Sequence, residues 1–164
     1  IDTLAVYSEE NSASVAVFGR VVEEVAERHP ADSYGLIFAS HASGWLPQGT
    51  LAHPTRSIGN DANTGTMDAN AEMELADFAA AIPDGHFDFI IFEACLMAGV
   101  EVAYELRGKT DYMLASSAEL LVPGFVPIYP SAGRYLFDTG RTVEQSLTAF
   151  AEAYYNHVNA QSGA

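Results

Sequence analysis

A single cysteine and one of five histidines stand where nucleophilic chemistry is possible, because each follows a run of apolar residues. The run that begins at Phe87 ends at Cys95, and His41 directly follows the run 34–40. Runs of this length, rich in aromatic and branched residues, predict buried strands. A thiol becomes a nucleophile when it is ionised, and an imidazole at hydrogen-bonding distance promotes this. A lone cysteine is also commonly a small buried apolar residue, so this reading depends on the fold.

Strands and helices alternate along the chain, which predicts an α/β fold with a mostly parallel sheet. Apolar runs predict strands, and apolar residues at helical spacing predict helices. The helix after Cys95 is expected to bury Leu96, Val100, Tyr104 and Leu106. The predicted strands cover 3–7, 34–40, a run from Phe87 that ends at Cys95, and 112–116. The other predicted helices run from about 14 to 29, 70 to 81 and 142 to 158.

Parallel strands place their carboxyl ends at one edge of a sheet, where open α/β folds bind their ligands. His41, Cys95 and the segment from Ser116 to Glu119 all follow such strands. The backbone N–H groups after His41 and at Cys95 are suited to stabilise an oxyanion. The N-terminus of the following helix would favour a thiolate at Cys95. A carboxylate at this edge, from Glu93 or Glu119, could bind a basic side chain.

The composition indicates a single globular domain over residues 1–164, with 49% hydrophobic residues. Seven Lys and Arg against 22 Asp and Glu give a net charge of −15. This argues against nucleic acid or an anionic membrane surface as a partner, because phosphate binding needs clustered positive charge. It would suit a basic substrate. No apolar run approaches the roughly 20 residues of a membrane span, so none is expected.

Two motifs at these strand ends are similar to those of a known peptidase family. The sequence His41-Ala-Ser-Gly-Trp45 follows one strand, and Glu93-Ala-Cys-Leu-Met97 follows the next. With the stretches 100–107, 110–112 and 116–124, they resemble the clostripain family of cysteine peptidases. The resemblance implies a caspase-like fold, a three-layer sandwich with helices on both faces of the sheet. It also implies cleavage of peptides and proteins after arginine or lysine.

The resemblance assigns roles to individual residues. Cys95 stands at the nucleophile and His41 at its dyad partner, which either polarises the thiol or protonates the leaving amine. Ala42 stands where the family usually has an oxyanion-hole glycine, with the Cys95 N–H as the second donor. Glu93 stands where aspartate is usual, and it keeps the charge that a basic P1 side chain would meet. Ser116 and Glu119 are expected to contact substrate, with Glu119 as the second candidate for the P1 acid.

The long region 46–66 is rich in Pro, Gly, Asn and Thr and predicts a loop. Some family members are cleaved in this region, so Arg56-Ser57 is a hypothetical self-processing site that would yield a second chain from the same precursor. An arginine in a surface loop is the alternative. His53 and His86 are expected in surface loops. Calcium dependence occurs in the family, but Asp61 and Asp68 show no convincing ligand spacing, so no cofactor is expected.

The resemblance further implies a secreted or cell-surface protein, of which this chain is a fragment lacking flanking strands. Two other readings stay open. The alanine at 42 and the glutamate at 93 would also suit a catalytically silent caspase-like domain that serves as a binding or cell-surface module. A serine hydrolase of similar architecture is disfavoured, because the chain contains no Gly-x-Ser-x-Gly motif.

Overall fold

The computed structural model describes residues 3, 5–8, 10–45, 58–61 and 72–162. These residues form five strands, five α-helices and a 3₁₀ helix at Gly133–Phe137. The strands are β1 Gly35–Ala39, β2 Ile58–Asn60, β3 Glu72–Met73, β4 Phe87–Glu93 and β5 Thr110–Leu114. The helices are α1 Val15–Arg28, α2 Leu75–Ala81, α3 Val100–Leu106, α4 Tyr129–Ala132 and α5 Val143–Ser162.

The central sheet has the strand order β1-β4-β5, and both strand pairs are parallel. Ala39 pairs with Glu93, and Ile91 pairs with Leu114, so the carboxyl ends of the three strands lie along one edge. This confirms the predicted α/β class and the edge at which the chemically suited residues were expected. The middle strand β4 is the most buried, as expected for a strand with neighbours on both sides.

Helices cover both faces of the sheet, because the side chains of β4 alternate between two cores. Ile90 and Phe92 point to the face covered by α1, α2 and α3, where they join Phe78 and the half-buried Phe38. Ile91 points to the opposite face, whose other core residues come from the segment after β5 and from α5. The result is the predicted three-layer arrangement.

The first helix begins and ends where the sequence predicts. The Ser14 side chain accepts a hydrogen bond from the Val17 N–H at 3.2 Å, which satisfies one of the free donors of the first turn. The helix ends at Arg28, with His29 as its C-cap before Pro30, because the residue before proline avoids the helical region.

The predicted strand over residues 3–7 is wrong for its described part. Thr3 and residues 5–7 form no strand, and Leu4 lies outside the described residues. The described part of the segment contacts α1, where the Tyr7 hydroxyl donates to Glu24 at 2.8 Å.

The predicted helix over 70–81 begins later than expected, at Leu75. Before it, β3 pairs with β2 in an antiparallel ribbon, and Ile58 and Met73 are both buried where they pair. This tertiary pairing outweighs the local helical preference of two residues. Of the loop predicted over 46–66, only residues 58–61 are described, and 58–60 form β2. His53, Arg56 and Asp68 lie outside the described residues.

The helix after Cys95 buries Leu106 as predicted, but the rest of its predicted apolar face is not the buried one. Residues 94–99 form a turn, so α3 begins only at Val100 and its inward residues are Val102 and Leu106. Val100 and Tyr104 are 75% and 64% exposed. Because the turn precedes the helix, helical spacing counted from Leu96 predicts the wrong residues to face the core.

The later elements follow the predictions with shifted bounds. Strand β5 starts two residues before the predicted one, and α5 extends to Ser162 with its predicted apolar face against the second core. The short helices between them were not predicted. Among the described residues, every helix is too short or too polar to cross a membrane.

Candidate active site

A cavity of about 540 Å³ opens at the carboxyl edge of the sheet, and it brings together three of the predicted residues. His41, Glu93 and Cys95 line it. The pairing of Ala39 with Glu93 explains why His41 and Cys95 are near each other. Each follows its paired residue by two positions, so the two chain segments leave the sheet edge side by side. The Ser40 N–H donates to the Glu93 carbonyl at 3.3 Å and extends this pairing by one residue. The wall opposite the strands is the segment Leu120–Gly124 with Val126.

His41 is exposed, and its loop is held by strand β2. The Gly59 N–H donates to the His41 carbonyl at 3.0 Å, and Ala42 forms an antiparallel bridge with Ile58. Within the described part of the chain, the imidazole makes no hydrogen bond. The backbone of this loop is therefore positioned, while the ring stays available to the thiol or to a substrate.

Cys95 is half-buried and lies against the loop that follows β5. The Leu120 N–H donates to the Cys95 sulfur at 3.3 Å. Two backbone hydrogen bonds hold the turn on this loop, from Leu96 N to Ala118 O at 3.2 Å and from Ala98 N to Ser116 O at 3.0 Å. The cysteine is thus fixed both by its own strand and by the neighbouring loop.

Two backbone N–H groups were predicted to form an oxyanion hole, those of Ala42 and Cys95, and of these two residues Cys95 lines the cavity. Among the described residues, neither the Ala42 N–H nor the Cys95 N–H takes part in a hydrogen bond. Unpaired N–H groups beside a nucleophile are the feature that an oxyanion hole requires. The expected helix N-terminus is absent at this point, because α3 starts five residues after Cys95. That prediction was wrong for the reason given above, the intervening turn.

Glu93 is half-buried, and each of its oxygens accepts one hydrogen bond from a neutral donor. Oε1 accepts from the Phe125 N–H and Oε2 from the Tyr129 hydroxyl, both at 2.6 Å. None of the ion pairs between described residues includes Glu93. Burial, and then the hydrogen bond to Glu93, raise the pKa of Tyr129 well above its usual value, so this hydroxyl remains a donor. The Glu93 carboxylate in the cavity therefore has no cationic partner among the described residues.

Ser116 and Glu119 lie on the other side of the wall. They line a second cavity of about 420 Å³, between the segment Leu120–Gly124 and helix α5. Glu119 is exposed and, in the described ranges, forms no hydrogen bond or ion pair. The structure thus separates the two candidate carboxylates, with Glu93 beside the thiol and Glu119 behind the wall.

Comparison with known families matches this architecture. The model of the clostripain family matches residues 2–162. The chain belongs to the clostripain family. Clostripain from Hathewaya histolytica is 29% identical over 135 residues, which cover 76% of this chain and 25% of that protein.

Two solved structures extend the comparison to the fold. A secreted C11 cysteine protease from Bacteroides thetaiotaomicron, in complex with an irreversible peptide inhibitor, is 35% identical with a TM-score of 0.76. An inactive zymogen C11 protease from Parabacteroides distasonis is 34% identical with a TM-score of 0.70. The matches cover 94% of this chain, and 40% and 39% of those chains. The fold is therefore the caspase-like sandwich of this family, and the chain spans about two fifths of these relatives.

Outside the cavity lies Asp61, one of the two aspartates considered as metal ligands. Asp61 is buried, and its Oδ2 accepts from the backbone N–H of Ser12 at 2.8 Å and from its hydroxyl at 3.1 Å. These bonds hold the start of α1 to the end of β2. In the described ranges, no group of three His, Cys, Asp or Glu is arranged to hold a metal ion. The expectation of no cofactor stays a prediction.

Three residues that shape the site were not predicted from the sequence of this clostripain-family chain. Phe125 contributes only its backbone N–H, which leaves no trace in a sequence. Tyr129 lies 36 residues from Glu93, in a short helix that no periodicity announces. Gly124 has a φ of +61°, and a methyl carbon there would lie 2.2 Å from Glu93 Oε1. Of these, only Gly124 carries a signal in the sequence, because it follows Pro123 and a Pro-Gly pair is typical of a turn or loop.

Proposed function

We propose that the protein containing this chain is a cysteine endopeptidase that cleaves after arginine or lysine, with Cys95 as nucleophile and His41 as its partner. The observation that carries the proposal is the shared cavity of His41, Cys95 and Glu93. The two hydrogen bonds of Glu93 come from neutral donors, so a cation placed beside this partly buried carboxylate would be attracted to it. A basic P1 side chain would supply it beside the thiol.

The chemistry would follow from these positions. The Cys95 thiol passes its proton to His41, and its sulfur attacks the carbonyl carbon of the scissile bond. The N–H groups of Ala42 and Cys95 stabilise the resulting oxyanion. His41 gives a proton to the leaving amine as the C–N bond breaks, which leaves a thioester. A water molecule then attacks the thioester, with His41 accepting its proton. The C–S bond then breaks, the acid product leaves, and His41 returns the proton to the sulfur, which restores the thiol.

The alanine at 42 is compatible with this role. An oxyanion hole uses the backbone N–H, which alanine and glycine share. The loop carrying it is held by β2 and is followed by Gly44 at a φ of +72°, so the tight turn is supplied two residues later. The substitution therefore narrows the backbone freedom of residue 42 without removing the donor.

The wider setting of the protein is also part of the proposal. One solved relative is described as secreted and another as an inactive zymogen. By analogy, we expect secretion and activation by cleavage, with Arg56-Ser57 as the processing site and two chains as the product. Purification of wild type and Arg56→Ala tests this. A wild type that stays one intact chain and is no more active than Arg56→Ala would remove the processing site.

The test of the main proposal is hydrolysis of fluorogenic peptides by the full-length protein. Arg-P1, Lys-P1 and Asp-P1 substrates of otherwise identical sequence are compared for wild type and Cys95→Ala. We expect cleavage after Arg and Lys that disappears in Cys95→Ala. If wild type hydrolyses none of them, the result supports the alternative of a catalytically silent binding domain. If it prefers Asp-P1, the proposed role of Glu93 in specificity is wrong, but the proposed peptidase activity stands.

A further inference from the structure

The carboxylate of Glu93 is held in one orientation by two donors on opposite oxygens. A glutamate side chain has three rotatable bonds, so a free one visits many orientations. Here Phe125 N–H and the Tyr129 hydroxyl fix both oxygens at 2.6 Å. An ionised carboxylate has about four acceptor positions, so two internal bonds leave capacity for a further donor. The carboxylate is therefore oriented before any ligand arrives.

The surroundings leave Tyr129 little freedom to release Glu93. It is the first residue of α4, and its ring lies 6.1 Å from that of Phe150, which is fully buried. The raised pKa of Tyr129 keeps its hydroxyl protonated. This tyrosine is thus a fixed neutral donor, and it adds no charge that would compete with a cation.

Room for the carboxylate comes from Gly124. Its positive φ and the absence of a side chain let the wall approach Glu93, since any Cβ there would overlap Oε1. The same wall reaches the thiol, because the Leu120 N–H donates to the Cys95 sulfur at 3.3 Å. The orientation of Glu93 and the position of the thiol are therefore set by one segment, 120–129.

We propose that Tyr129 is a positioning residue that sets selectivity for basic side chains by orienting the Glu93 carboxylate. This inference rests on the function proposed above. Tyr129 acts on substrate only through Glu93, so its loss would weaken recognition of a cation and spare the attack on the peptide bond. A geometrically fixed acceptor binds a guanidinium better than a mobile one because less ordering is left for the ligand to impose.

The experiment compares an Arg-P1 peptide with its citrulline-P1 counterpart, which keeps the shape and removes the charge. The measured quantity is the ratio of the two kcat/KM values for the full-length protein. Both substrates are assayed on one preparation, so the ratio does not depend on the folded fraction. We expect Tyr129→Phe to lower the ratio about tenfold, the size of losing one hydrogen bond to a charged group. The citrulline kcat/KM should change less than about twofold.

Two variants show whether the effect passes through Glu93. In a Glu93→Gln background, Tyr129→Phe should leave the ratio unchanged, because the charge it orients is already gone. Tyr135→Phe removes a hydroxyl from the same core layer without touching Glu93, and it should leave the ratio at the wild-type value.

Each outcome decides between the hypotheses. A wild type that favours Arg, with an unchanged ratio in Tyr129→Phe, overturns the inference and leaves the proposed function intact. An equal fall for both peptides also overturns it, since that is the signature of a merely structural residue. A wild type that cleaves neither peptide, or that shows no preference for Arg over citrulline, overturns the proposed specificity and this inference together.

Discussion

The two loops that carry the candidate dyad are held in different ways. The His41 loop is fixed through its backbone by β2, while its ring is exposed. The Cys95 turn is half-buried, and its sulfur itself receives a hydrogen bond from the loop after β5. A nucleophile has to meet one carbon atom, whereas a general acid and base has to reach both the sulfur and the leaving amine. The difference in restraint matches this difference in task.

The largest expected effect separates the two residues by their kinetics. Cys95→Ala removes the atom that bonds to substrate, so we expect activity on an Arg-P1 peptide to fall to background. His41→Ala should lower kcat by about 10² to 10⁴ and leave measurable turnover, because proton transfer contributes that much. Steady-state assays of the full-length protein measure both. Full activity of His41→Ala would contradict the dyad.

Removing the support of the His41 loop should have the next largest effect. Ile58 is fully buried and lies opposite Ala42, so Ile58→Ala should lower the free energy of unfolding by about 2–5 kcal/mol. It should also lower kcat/KM per folded molecule, because the loop loses its packing partner. Urea unfolding and active-site titration measure the two effects. Ile37→Ala, on the 37% exposed residue of β1, is the matched control and should cost less than half as much.

The contact between the two loops can be broken at Gly44. Its φ is +72°, and a methyl carbon would lie 2.6 Å from the Leu96 carbonyl oxygen. We expect Gly44→Ala to destabilise the protein by about 2 kcal/mol or more, since strain and overlap add. Gly108→Ala, which has open space around it, should stay within about 0.5 kcal/mol of wild type. An equal loss of free energy of unfolding in Gly44→Ala and Gly108→Ala would mean that the two loops are not in close contact at Gly44.

The smallest effect concerns the strain beside the nucleophile. Leu96 has a φ of +62°, where a side chain costs about 1–2 kcal/mol. Leu96→Gly removes both this strain and a half-buried side chain, so its net effect should be below about 1 kcal/mol. Leu96→Ala keeps the strain and should be the less stable of the two in urea unfolding. The usual order, with alanine more stable, would contradict a left-handed backbone at this residue.

Much of the fold could be predicted because it rests on local patterns. The apolar runs before His41 and Cys95 form β1 and β4. Helix α1 begins after its N-cap Ser14 and ends before His29-Pro30. Such signals lie within a few residues of the element they define. Boundaries shifted where a distant partner intervened, as when Met73 paired with Ile58 and delayed α2.

The candidate site divides in the same way. The sequence placed His41, Cys95 and Glu93 at one sheet edge, because parallel strands align their carboxyl ends. It left two carboxylates as candidates for the P1 acid, since both follow strands at that edge. The fold separates them by folding Leu120–Gly124 over the thiol, with Glu93 on one side and Glu119 on the other.

By itself, then, the sequence determined the three strands of the central sheet, their parallel pairing, the family motifs and the residues at the edge. Only the tertiary structure decided what holds them: β2 behind His41, the Leu120 N–H on the sulfur, and Phe125 and Tyr129 on Glu93. The physical reason is range. Strand formation follows from neighbouring side chains, whereas the partner of a carboxylate 32 to 36 residues away is set by how the layers pack.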